Sequence, residues 1–302
     1  MGCHLVVAQE KHRMNKLALG TVQFGLSYGI ANQSGKVGCE EAGLILALAR
    51  KSGLDMLDTA IAYGDSESCL GELGTEGFRV VTKLPGLPDG VINIGAWVEE
   101  QVQASLQRLK VDSIYGLLLH RTQDLQGANG RLMAQALERV RAKRIVEKIG
   151  VSIYSPAELD ALWMDFQPDL VQAPFNVLDR RLQTSGWLQK LQAAGTEIHT
   201  RSAFLQGLLL MEQSARPTKF NRWAKLWECW HTWLRESGIT PVQGALGFVL
   251  AHSEINRVVV GVDNTRQLKE IVNAATTPFV VPPDSLAVED EALVNPSRWS
   301  SL

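Results

Sequence analysis

Cysteine is scarce: Cys3, Cys39, Cys69 and Cys229 are the only four in 302 residues, and no two form a CxxC pair. Neither a zinc ribbon nor a dithiol redox motif is therefore encoded, and the four read as free thiols of a reducing compartment. Charge of one sign is also lacking. Thirty Lys and Arg against 32 Asp and Glu leave a net charge of −2, so neither nucleic acid nor an anionic membrane is expected as a partner. No apolar run reaches the roughly 18 residues of a membrane span. The first residues lack a secretory apolar region with a cleavage site. Gly2-Cys3 stands where acylation signals begin, but Val6 replaces the Ser or Thr such a signal wants. Residues 1–14 are expected to be a disordered tail, and the protein is expected to be cytoplasmic. A glycine-rich GxGxxG turn is missing too, which speaks against a doubly wound dinucleotide-binding sheet. Repeats, low-complexity segments and Pro/Gly/Ser-rich linkers are absent, so nothing marks a second domain.

What is present looks globular: 45% of residues are apolar and 21% charged. Short β-type runs recur along the chain at 16–20, 54–58, 79–83, 113–120, 148–153, 170–175, 197–204 and 257–262. Continuous apolar runs such as RVVVGV suit parallel strands covered on both faces. The gaps carry helical periodicity at 39–52, 95–110, 129–144, 155–165, 181–194, 241–252 and 264–275. In the first of these, Leu44, Leu46, Leu48 and Ala49 form a broad apolar face ending at Gly53. Trp97, Val98, Val102, Leu106 and Leu109 form the stripe of the second. Ser155-Pro156 and Asn264-Thr265 are helix starts with a capping side chain.

Strands alternating with helices predict an α/β fold, a parallel (β/α)8 TIM barrel over residues 15–283. Residues 284–302, of mixed acidic and Pro/Ser/Trp composition, form a C-terminal tail that either folds over the barrel mouth or dangles. Two connections are long, 24–38 and 205–239, and the second holds a helix of its own. Trp223, Trp227, Trp230 and Trp233 share one face of it, which reads as a packing stripe rather than a stacking platform.

In such a barrel, chemistry sits at the C-terminal ends of the strands. Asp58, Lys83 and His120 end the second, third and fourth runs, and Tyr63 follows the second. Each has an ordinary alternative: Asp58 as a helix cap, Lys83 as a strand end, His120 in a surface pair with Arg121, and Tyr63 as an interface aromatic. Jointly they converge on one small volume. A phenol is a poor proton donor at neutral pH, and an ammonium beside it favours the phenolate. Lys83 supplies that ammonium and Asp58 its counter-charge. His120 can donate a hydrogen bond to a carbonyl oxygen. Such a group protonates a carbonyl oxygen while a nucleophile reaches the carbon. With no metal cluster or thiolate at hand, that nucleophile is most simply a hydride from a cofactor.

LDTAIAYGDSE (57–67), VVTKL (80–84) and LLLH (117–120) resemble, in this order and spacing, the signature segments of the aldo-keto reductases, and the resemblance runs over roughly residues 15–280. It implies a (β/α)8 barrel that reduces the carbonyl of a small-molecule aldehyde or ketone with NADPH. By that match Tyr63 is the general acid, Lys83 and Asp58 tune it, and His120 orients the carbonyl. Gly20, Thr21 and Val22 would lie beside the cofactor. Ser152 and Gln172 would hold the nicotinamide carboxamide, although Ile153 stands where the family has an asparagine. Ser202, Leu205 and Gly207 would approach the pyrophosphate. Arg201 replaces an aromatic residue that stacks on nicotinamide. Its plane can stack as well, and its charge favours a phosphorylated or acidic ligand. Gly261, Val262, Asn264, Gln267 and Glu270 match the adenine end. Asp263 stands where a Lys or Arg grips the 2′-phosphate, so NADH is allowed beside NADPH.

A sugar-derived carbonyl is the mild preference among substrates; the oligomeric state is not legible. Two alternatives are a non-catalytic nicotinamide-binding regulatory subunit and an aldolase using Lys83 as a Schiff base.

Overall fold

The computed structural model describes residues 13–302; the expected tail falls almost wholly outside this range. Among the described residues, eight parallel strands pair in chain order and close into a barrel through the first and last. They are β1 (Leu17–Gly20), β2 (Met56–Asp58), β3 (Arg79–Leu84), β4 (Ile114–Leu119), β5 (Val146–Ser152), β6 (Leu170–Pro174), β7 (Glu197–Arg201) and β8 (Arg257–Gly261). Each coincides with an expected run. The largest difference is at β7, which stops at Arg201 because Ser202 turns to a φ of +64°.

Two-sided burial explains the continuous apolar runs. Leu17 and Leu19 pack outward into the layer under the helices, whereas Ala18 joins Met56, Val81, Leu118 and Leu170 inside the barrel. Alternation therefore separates two apolar environments, not core from water.

Helices fill the connections with a few corrections. In the helix Cys39–Lys51, Leu44 is 53% exposed and the buried face is Ala42, Ile45, Leu46 and Ala49. Leu44 sits beside that arc, not on it. Helix Ala157–Leu162 is not capped by the Ser155 side chain; instead the Glu158 carboxylate accepts from the amides of Tyr154 and Ser155. Asn264 does cap its helix, accepting from the Gln267 amide at 3.0 Å. The run at 181–194 splits into Arg181–Thr184 and Trp187–Ala193 at Gly186. A helix at Ser66–Leu73, directly after Tyr63, was not expected.

Three of the four tryptophans pack as expected, whereas Trp223 precedes the helix, half-buried, and donates to Asp290 Oδ2 at 3.1 Å. Trp227, Trp230 and Trp233 are buried on helix Ala224–Ser237, and the indoles of Trp227 and Trp230 donate to the carbonyls of Phe220 and Leu209. They thereby pin the long connection after β7. The last stretch folds back on the barrel as well: Leu286, Leu293 and Trp299 are buried, and Val288 N–H donates to the Leu178 carbonyl. Among the described residues, no helix is long and apolar enough to cross a membrane.

The closed floor of the barrel holds a charge network. Glu197 accepts from the Tyr115 hydroxyl, the Lys148 ammonium and, at 2.7 Å, the His199 ring. Burial alone would raise the Glu197 carboxyl, but His199 and Lys148 override it and hold it down to about 2. A carboxylate depressed from 4.5 stabilises the fold above that pH and loses its contribution as the pH falls toward 2. Glu197→Gln is therefore expected to cost about 2–3 kcal/mol at pH 7 and much less at pH 3. Urea midpoints at the two pH values check this; an equal loss at both would remove the electrostatic account.

Candidate functional site

The open end of the barrel is where β2, β3 and β4 deliver their polar ends. Beyond β2 the chain continues to pair with β3, Thr59 N–H donating to the Val81 carbonyl and Ile61 N–H to that of Lys83. That extension carries Tyr63 over the mouth. The turn Val22–Gly25 packs against it so closely that a Cβ on Gly25 would lie 1.7 Å from the Tyr63 carbonyl oxygen. Glycine is therefore required there, and Tyr63 cannot shift independently of β1. Thr21 reinforces the junction, its hydroxyl donating to the Asp58 carbonyl at 3.0 Å.

Beneath Tyr63, Lys83 is fully buried and donates to Asp58 Oδ1 at 2.7 Å and to the Thr59 carbonyl at 2.9 Å. Asp58 is completed by Gln172, whose amide donates to Oδ2 at 2.7 Å. The ammonium lies 5.1 Å from the centre of the Tyr63 ring. Burial penalises this ammonium, but Asp58 and then Tyr63 outweigh the penalty and raise its pKa. His120 meets the Tyr63 ring edge-on at a centroid distance of 5.8 Å. Burial, aided by the Lys83 charge, pushes His120 down to about 4. Its imidazole is neutral at physiological pH and can donate one hydrogen bond. Asp58, Tyr63, Lys83 and His120 thus form one connected group.

A cavity of about 580 Å³ runs from this group toward the start of helix Thr265–Ala275, a volume suited to a ligand. Gly20, Thr21, Val22, Gln172, Arg201, Ser202, Gly207, Gly261, Asp263, Gln267 and Glu270 all line it. Ser152 is buried behind the wall. Leu205 and Val262 are buried in the core, leaving them only their backbone for a ligand, and Asn264 uses its Oδ1 on the cap.

Past β7 the backbone is strained: Ser202, Leu205 and Gln206 all have positive φ, each at a cost of about 1 kcal/mol or more. Asn176, fully buried, holds the turn by donating to the Ser202 carbonyl at 3.0 Å.

The connection after β1 crosses the cavity as a strap, and sequence reasoning missed its residues. Asn32 donates to Asp263 Oδ1 at 3.0 Å, and Gln206 donates to the Tyr28 hydroxyl at 3.2 Å. A Cβ on Gly207, where φ is +89°, would lie 2.5 Å from Ala31 Cβ. The unusual length of 24–38 was the only available signal.

Arg201, at the end of β7, lies on the cavity wall. Its guanidinium donates to the Ile153 carbonyl at 2.9 Å and to Ser202 Oγ at 3.4 Å, and lies 4.7 Å over the Tyr154 ring.

Sequence and fold comparisons give the family and the fold. The profile of the Aldo/keto reductase family matches residues 16–286. The chain belongs to that family. It is therefore an oxidoreductase of a family that reduces carbonyl compounds with nicotinamide cofactors. Among solved structures, this aldo/keto reductase resembles the holo form of an aldo-keto reductase from Bacillus halodurans, with a TM-score of 0.71, 22% identity and 88% of each chain covered. It also resembles a glycerol dehydrogenase from Gluconobacter oxydans, with a TM-score of 0.68, 19% identity, and 90% of this chain and 88% of that one covered. At these identities the likeness concerns the fold. No curated protein sequence matches.

Proposed function

We propose that this aldo/keto reductase reduces an aldehyde or ketone to an alcohol, the proton coming from the Tyr63 hydroxyl. The observation that carries the reading is the contact of Tyr63 with a buried Lys83–Asp58 pair and a neutral His120 at one end of a ligand-sized cavity.

The cavity residues fit a nicotinamide dinucleotide. Gln172 spends its amide N–H on Asp58 and keeps Oε1 free to accept, as a carboxamide requires. Gly20 and Gly261 line the wall with backbone alone, the space of a Cβ on each being taken by Val259 Cγ1 at 3.0 Å and Gln23 Nε2 at 2.5 Å. Gln267 and Glu270 offer polar groups at the far end. Bound there, a reduced nicotinamide supplies the hydride.

The chain's own residues supply the rest. The Tyr63 hydroxyl gives its proton to the carbonyl oxygen, and the Lys83 ammonium stabilises the phenolate left behind. Asp58 keeps that ammonium in place. His120, neutral above a pH of about 4, donates a hydrogen bond that orients the oxygen.

Two features weigh against the alternatives. An aldolase needs a free amine, whereas Lys83 is enclosed, ion-paired and raised in pKa. A purely regulatory subunit has no need for the complete proton-donating group.

Titrating the protein with NADPH and, separately, NADH is expected to quench the fluorescence of its eight tryptophans. Quenching by neither would remove the basis of this reading. Asp263, on the cavity wall, opposes the 2′-phosphate that the family's use of NADPH would bring, and Arg266 on the same wall is the counterweight. Asp263→Arg is expected to raise affinity for NADPH relative to NADH about tenfold or more. An unmoved ratio would place Asp263 away from the 2′ position.

A further inference from the structure

We infer that Arg201 is a substrate-recognition residue, and that the carbonyl substrate carries an anionic group, a carboxylate or a phosphate, which this guanidinium receives. The inference rests on the carbonyl-reducing reading above.

Charge at this end of the cavity does not balance without a ligand. Lys83 is cancelled by Asp58 at 2.7 Å, and the second oxygen of Asp58 is taken by Gln172. His120 contributes no charge at neutral pH because its pKa falls to about 4. Arg201 is half-buried on the cavity wall, and its two hydrogen bonds go to neutral oxygens, the Ile153 carbonyl and Ser202 Oγ. None of the described acidic residues on the same wall is hydrogen-bonded to Arg201. Asp263 accepts from Asn32 and Gln267, Glu270 belongs to the β8 side, and the exposed Glu212 acts on Arg216. A partly desolvated cation without a counter-charge is costly, and an incoming anion removes that cost.

The guanidinium is also pre-oriented. Tyr154 lies beneath its face and the Ile153 carbonyl fixes one edge, while at least three of its five N–H donors remain free. A fork held in this way matches the paired oxygens of a carboxylate or phosphate.

Its position separates this role from binding of the cofactor's own phosphates. Arg201 is drawn toward the connection after β5, away from the Asp263–Glu270 wall beyond β8. Its charge acts on Lys83, His120 and Tyr28, the residues around the proton donor.

The test compares kcat/KM within two pairs: succinic semialdehyde against butanal, and glyceraldehyde 3-phosphate against glyceraldehyde. The wild-type protein is expected to prefer the anionic member of at least one pair by about tenfold to a hundredfold. The pair that responds identifies the anion as carboxylate or phosphate. Arg201→Met is expected to bring that ratio near one, and Arg201→Lys to keep part of it. NAD(P)H quenching that persists in Arg201→Met assigns the loss to substrate rather than cofactor. Equal or better use of the neutral members in both pairs, or a ratio that Arg201→Met leaves unchanged, overturns the inference. Where neither member of either pair is reduced, the carbonyl-reducing reading fails for these compounds. Calorimetry with succinate and with inorganic phosphate, cofactor present, then decides about Arg201. Binding weakened at least about tenfold in Arg201→Met supports the anion site, whereas no wild-type binding, or equal binding, overturns it.

Discussion

Replacing Tyr63 by phenylalanine is expected to cut turnover at least about 100-fold while NAD(P)H still quenches the tryptophans. The substitution removes one oxygen and keeps the ring that Lys83 approaches at 5.1 Å and His120 at 5.8 Å. Packing around the β2 extension is thus preserved, and the lost atom is the one that carries the proton. His120 is no substitute, because an imidazole whose pKa lies at about 4 is largely unprotonated at neutral pH. Steady-state turnover on any accepted carbonyl, beside a cofactor titration, reads the two effects separately. Turnover equal to wild type would remove Tyr63 from the reaction and leave the buried Lys83–Asp58 pair without a chemical purpose.

The second large effect concerns that pair. Asp58→Ala leaves the fully buried Lys83 ammonium with only the Thr59 carbonyl, and it strands the Gln172 amide. Removing one partner of a buried ion pair typically costs about 3–5 kcal/mol, and a urea midpoint should fall accordingly. The double variant Asp58→Leu/Lys83→Met, which removes both charges, should recover much of that stability and none of the activity. Such a split would show that the pair serves the proton donor rather than the fold. Because the Lys83 pKa is raised in the folded state, its contribution to stability is complete below 10.5 and is lost only as the pH climbs through the raised value. Wild-type unfolding near neutral pH should therefore be insensitive to this group. A single variant as stable as wild type would contradict the burial of an unpaired charge.

The barrel was largely legible because its signals are local. A run such as RVVTKL is apolar at Val80, Val81 and Leu84 and sets Lys83 near its mouth end, so element type and the exit of Lys83 are written in the same few residues, whereas the fully buried Thr82 is satisfied by a tertiary partner, donating to Glu67 Oε1 at 2.6 Å. Asp58 and His120 follow the same logic at β2 and β4. The expected cap at Asn264 formed because it involves an amide three residues away. The cap expected from Ser155 did not form because Glu158, equally local, competes for the same amides. Helix Ser66–Leu73 escaped notice because its eight residues give too short a window for periodicity to stand out.

What local pattern could not contain is the relation between distant loops. Asn32 meets Asp263 across 231 positions, and Gln206 meets Tyr28 across 178. The residues 24–38 show only that the connection is long, not where it crosses. Arg201 illustrates the division most clearly. Sequence placed a cation at the end of β7, but only the closed barrel brought it to Ile153 and Tyr154, left it without a carboxylate, and set it beside a neutral His120. The chain's own order thus determined the fold class, the strands and the chemical identity of the four groups at their ends, since periodicity and residue type act within a few positions. Tertiary structure decided which charges cancel, which donors remain free and what spans the cavity, because those depend on distances that only closure of the barrel creates.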